Sequence, residues 1–85
     1  MSKLAKAKER LLSMPRDYTY DEARYLLGQL GFVEDNKGKT SGSRVEFFRE
    51  DDGGSILLHK PHHGNEMNLA RVKGLIRVLK RMGDL

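Results

Sequence analysis

From Lys3 to Met14 the apolar residues Leu4, Ala7, Leu11 and Leu12 recur at helical spacing, with Lys and Arg between them. The pattern predicts an amphipathic helix that ends before Pro15, because the residue preceding a proline resists the α region. A second helical pattern follows at once. Thr19 stands three residues ahead of Glu22, the spacing of a capping box, and Asp21 adds negative charge to the first turn. Ala23, Leu26, Leu27 and Leu30 then share one face, and Gly31 stops the helix.

After Gly31 the period shortens. Phe32-Val33-Glu34 begins a strand, and Lys37 to Gly42 is a loop by composition. Ser43 to Arg49 alternates, with Val45 and Phe47 on one face and Arg44, Glu46 and Phe48 on the other. Asp51-Asp52-Gly53-Gly54 is a hairpin turn, and Ser55 to Lys60 is the return strand, closed by Pro61. A loop from His62 to Glu66 leads to a final helix capped by Asn65 or Asn68. Its apolar stripe is Leu69, Val72, Leu75, Ile76, Leu79 and Met82, and it ends at Gly83.

Strands joined in sequence by short turns form an antiparallel meander, and helices flanking them pack together on one side. The expected fold class is α+β: an α-β-β-β-α domain with a three-stranded antiparallel sheet, helices on one face, and an extra N-terminal helix. The domain is expected over residues 16–85, with 1–15 as a helical extension. An open sheet face carrying Arg44 is a natural place for a ligand.

Composition narrows the chemistry. A chain of 85 residues buries only about 60% of its unfolded surface and has no room for a separate cofactor domain. It contains no Cys, so disulfides and thiolate zinc sites are excluded. No apolar run approaches the ~20 residues of a membrane span, and the N-terminus is a charged helix rather than a signal peptide. A cytoplasmic protein with no membrane partner and no cofactor is expected. Sixteen Lys and Arg against twelve Asp and Glu give a net charge of +4. The cations gather in three places: Lys3 to Arg10, Lys37 to Arg44, and Arg71, Lys73, Arg77, Lys80 and Arg81. Such separation points to a polyanion partner, although Lys80 and Arg81 also complement the dipole of the last helix.

Three segments are candidates for chemistry. Lys37 to Arg44 places two lysines and an arginine around flexible residues whose N–H groups can cradle phosphate. Gly38-Lys39-Thr40 is like the end of a P-loop, but Val33 stands where the earlier glycine belongs, so ATP binding is rejected. An ordinary hairpin loop is the plain alternative. His59, His62 and His63 crowd together. They suit acid–base work on a phosphodiester better than a metal shell, which no carboxylate at suitable spacing completes; surface residues without a role are the remaining reading. Arg44, Glu46 and His59 are the side-chain types that metal-independent RNA cleavage requires: proton carriers, and a cation for the phosphorane charge. Their shared face depends on the hairpin. A two-residue loop at Asp51-Asp52 puts Arg44 opposite His59, whereas a three-residue loop including Gly53 opposes Arg44 to Lys60 and turns His59 to the covered side.

The order Leu30-Gly31-Phe32, Gly42-Ser43-x-x-x-Phe47, a turn, His59 and Pro61-His62-His63-Gly64 before a basic helix resembles the HicA-like toxins of bacterial toxin–antitoxin pairs, over about residues 20–83. The resemblance implies a fold similar to double-stranded-RNA-binding domains. It also implies a ribonuclease that cuts mRNA and is held inactive by a cognate antitoxin, a HicB-like protein. The family's catalytic histidine follows Gly-Ser, and here that position is Arg44. A guanidinium, with a pKa above ~12, holds phosphate but is a poor general acid or base. The candidate catalytic residues are therefore His59, His62, His63 and Glu46. The candidate RNA-binding residues are Lys37, Lys39, Ser43, Arg44, Lys60, Arg71 and Lys73. A non-catalytic nucleic-acid-binding module and a protein-interaction domain on the same fold are the competing readings.

Overall fold

In the computed structural model, which describes residues 2–35, 44–61 and 64–85, the capping box forms as its spacing predicts. Thr19 Oγ1 accepts from the Glu22 N–H at 3.1 Å, and Glu22 returns a carboxylate oxygen to the Thr19 N–H at 3.0 Å. Two donors that a helix start leaves unpaired are thereby satisfied. The helix that follows, α2, spans Tyr20–Gln29, and it is preceded by α1 at Lys3–Leu12. Strands β1 (Val33–Asp35), β2 (Arg44–Arg49) and β3 (Gly54–His59) come next, and α3 (Leu69–Met82) closes the chain. Asn68 caps α3, its side chain accepting from the Arg71 N–H at 2.9 Å, while Gly83 ends the helix at φ 86°, the left-handed turn that glycine adopts without penalty. Asn65, the other candidate cap, instead donates to Asp21 at 2.9 Å.

The sheet is antiparallel in the order β1-β2-β3. Its burial alternates along β2: Val45, Phe47 and Arg49 are buried while Arg44, Glu46 and Phe48 are exposed. On β3, Ile56 and Leu58 are buried and Ser55 and Leu57 exposed. The buried set meets Leu26, Leu27, Val72, Leu75 and Leu79 from the helices in one core. One face of the sheet is covered and the other is open, as the alternation requires.

Helix α1 is built into that core. Leu11 is fully buried, and Leu4 and Ala7 pack at its margin. Arg10 Nε donates to Glu22 at 2.7 Å and a terminal nitrogen donates to Asp17 at 3.0 Å. Arg10 and Thr19 together hold the Glu22 carboxylate below its ordinary pKa. Two residues of the predicted stripes lie outside the core: Leu12 and Leu69 are exposed. Leu12 sits about 100° round α1 from Leu11, and Leu69 about 60–120° round α3 from Val72, Leu75 and Leu79, so each stands at the margin of its buried face.

The segment between α1 and α2 also feeds the core. Tyr18 is buried, as is Met67 before α3, and the Met67 N–H donates to the Tyr18 carbonyl at 2.8 Å. The Tyr20 N–H donates to the Asn65 carbonyl at 2.7 Å. This short antiparallel pairing ties the start of α2 to the approach to α3. No described helix is long and apolar enough to cross a membrane.

Candidate RNA interface on the open sheet face

The hairpin register decides which side chains meet. Pairing runs Arg49↔Gly54, Phe48↔Ser55, Phe47↔Ile56, Glu46↔Leu57, Val45↔Leu58 and Arg44↔His59. Arg44 is therefore directly opposite His59, with Glu50 to Gly53 as the turn. Of the two alternatives open to the sequence, this is the one that puts Arg44, Glu46 and His59 on a single face. Side chains of directly opposed residues start about 5 Å apart at Cβ, so a guanidinium and an imidazole flank one small area. Arg44 is exposed and His59 half-buried.

Glu46 belongs to the same face but is held differently. Its carboxylate accepts from the Ser55 hydroxyl at 2.7 Å, a diagonal cross-strand bond leading away from His59. Asp35 of β1 is its partner on the other side, so two carboxylates adjoin in mid-sheet. The same open face carries three exposed apolar side chains: Leu57, opposite Glu46 on β3, and Val33 and Phe48, opposite each other two residues further along. The alternation had already assigned Phe48 to the side of Arg44 and Glu46. The ring's company became visible only with the pairing of three strands, because Val33 and Leu57 are distant from it in sequence.

The other candidates divide. Lys60 is exposed immediately after β3. Arg71, in the first turn of α3, lines a groove of about 340 Å³ together with His59, Ser55, Leu57 and Gly74, so it borders the area of the Arg44–His59 pair. Lys73 is exposed with Arg77, Lys80 and Arg81 on the side of α3 turned away from Val72, Leu75 and Leu79. Lys37, Lys39, Ser43, His62 and His63 lie outside the described residues.

The end of the hairpin far from His59 is held by a cluster that sequence reasoning did not assign. Arg49 is buried, and its five N–H donors are all used: two on Asp52 at 3.0 and 2.6 Å, two on Asp84 at 3.0 and 2.9 Å, and one on the Leu30 carbonyl at 3.1 Å. Its guanidinium carbon also lies 4.4 Å from the centre of the Phe32 ring, within cation–π range. Arg49, helped by the Gly54 N–H, lowers the Asp52 pKa to about 2. The cluster joins the turn, the end of α2 and the end of α3, and so fixes the strand on which Arg44 and Phe48 stand.

The family model for the HicA toxin of bacterial toxin–antitoxin pairs matches residues 20–83. The match spans from the first residue of α2 to the cap of α3. No curated protein and no solved structure matches the chain. The chain belongs to the HicA toxin family, and the partner class that this membership implies is a cognate antitoxin.

Proposed function

Taking membership of that toxin family as the premise, we propose that the protein is an RNA-binding toxin that cuts mRNA internally without a metal ion, and that its antitoxin is HicB-like. The observation that carries this reading is the cross-strand opposition of Arg44 and His59 on the open face. Cleavage at a ribonucleotide requires a base for the 2′-OH proton, a cation for the charge on the phosphorane, and an acid for the leaving oxygen. In this reading His59 takes the proton as the 2′-oxygen bonds to phosphorus. Arg44 holds the non-bridging oxygens, the role that a planar, always-charged fork fills better than an acid or base. The bond to the 5′-oxygen breaks and that oxygen gains a proton from His62 or His63, leaving a 2′,3′-cyclic phosphate and a free 5′-hydroxyl. Lys60 and Arg71, with Lys37 and Lys39, supply backbone charge, and the reading places the site in the cytoplasm, where mRNA is translated.

The test is expression of the wild type beside Arg44→Ala and His59→Ala, scored by growth and by the integrity of mRNA. Growth arrest with new RNA ends in the wild type is expected, with the His59 variant losing about 10²–10⁴ of the cleavage rate. Arg44→Lys should recover more activity than Arg44→Ala. Purified wild type that leaves single-stranded RNA intact, with His59→Ala equally toxic in cells, would sink the proposal. Salt-sensitive RNA binding without new ends would instead assign the fold to a non-catalytic binding module.

A further inference from the structure

We infer that the middle of the open sheet face is a nucleobase-reading subsite, in which Phe48 stacks a base of single-stranded RNA and the Glu46 carboxylate accepts a hydrogen bond from that base's exocyclic amino group. The inference rests on the RNA reading above and deepens it from cleavage to base preference. Phe48 is 42% exposed on the central strand, with Val33, 67% exposed, directly opposite on β1 and Leu57, 49% exposed, diagonal to it on β3. The ring and its aliphatic neighbours form an apolar surface in the open, where a π-face is available to any base. Glu46 is two residues from Phe48 on the same face, so a base lying over the ring brings its edge to the carboxylate.

Charge along the strand sorts the parts of a nucleotide. Arg44 lies four residues from Phe48, about 13 Å along the strand, and is the end suited to phosphate. Glu46 and its cross-strand partner Asp35 repel phosphate from the middle of the face. The Glu46 carboxylate favours a group that donates, as the amino group of cytosine does to Glu or Asp. Ser55, donating to Glu46 at 2.7 Å, fixes one carboxylate oxygen and so orients the group before the base arrives.

The experiment measures binding of fluorescein-labelled 2′-O-methyl octanucleotides, oligo(C) and oligo(U), by fluorescence anisotropy at low salt, since the methylated strand resists cleavage. Wild type is expected to prefer oligo(C). Phe48→Leu, which keeps apolar bulk but removes the ring, should weaken both oligonucleotides about tenfold with an unchanged circular dichroism spectrum. Glu46→Gln, whose amide also donates to the uracil carbonyl, should move the C-over-U ratio toward one while retaining oligo(U) binding. A Phe48→Leu protein that binds both strands like the wild type, or a ratio unmoved by Glu46→Gln, overturns the subsite and leaves the RNA reading standing. If Phe48→Leu impairs only co-purification with a protein partner, the face is a protein-docking surface and the subsite is overturned. If the wild type binds neither oligonucleotide, both the subsite and the RNA reading fall.

Discussion

Arg49 and Asp84, thirty-five residues apart, meet in two parallel hydrogen bonds of 3.0 and 2.9 Å. The fork matches the carboxylate in the bidentate geometry that makes such pairs strong. Arg49→Met keeps the apolar stem but leaves Asp84 and Asp52 without their cation. Because Asp52 is half exposed, solvent compensates part of the loss, and the expected destabilisation is about 2 kcal/mol. Urea unfolding monitored by circular dichroism measures it, and a change within error would show that the cluster is structurally idle.

The fully buried Leu11 belongs to a helix outside the residues that the family model matches. Leu11→Ala should cost about 2–5 kcal/mol, as deletion of buried methyl groups does in a packed core. Removing residues 1–12 should lower the thermal midpoint further, because it also strips Arg10 from Glu22. If α1 were a loosely attached arm, both changes would leave the melting curve where it was.

The pH dependence follows from the carboxylates and from the buried tyrosines Tyr18 and Tyr20. Arg49 brings the folded-state pKa of Asp52 to about 2 from an ordinary 3.8, and Glu22 is lowered from 4.5, chiefly by Arg10. Groups with depressed folded values contribute stability above their unfolded pKa and lose it as protons are forced on. Stability should therefore fall as pH drops from about 5 toward 2. At the alkaline end, burial, with the nearby Glu34 carboxylate, raises the Tyr20 hydroxyl from 10 to about 12. That contribution is complete below pH about 10 and is lost as pH rises to about 12. Thermal melts across both ranges test the signs, and Tyr20→Phe should reduce the alkaline slope, leaving the part due to Tyr18, whose hydroxyl burial also raises.

Asn65 and Asn68 provide a comparison between two chemically identical side chains. Asn68→Ala removes the cap of α3 and should cost about 1 kcal/mol. Asn65→Ala removes an exposed bond to Asp21 and should cost less than about 0.5 kcal/mol. Equal losses would mean that the cap is not held by Asn68 alone.

The element order was legible because each boundary has a local cause: Thr19 with Glu22, Gly31 after Leu30, the Asp-Gly turn, and Gly83. The open face was legible from the alternation of β2. The register of His59 was not, since two turn lengths fit the same residues and only backbone pairing distinguishes them. The burial of Tyr18 and Met67 was not legible for another reason: they lie in segments without periodicity, and their burial depends on pairing across the chain. Arg49 stood at an inward position where the pattern calls for an apolar side chain, and its partner Asp84 is too remote in sequence to announce itself.

The turn of the hairpin also has a genetic consequence. In a strand pair, one residue gained or lost in Glu50 to Gly53 reverses which side chains look outward, so Arg44 and His59 would no longer share the outer face. Arg49 grips Asp52 within that turn, five residues along β2 from Arg44. A selection for survivors of the toxin should therefore recover two groups of alleles. One group, on the cleavage proposed above, would change Arg44 or His59. The other would lie at the opposite end of the hairpin, touching no RNA, and disarm the protein by putting its strands out of step.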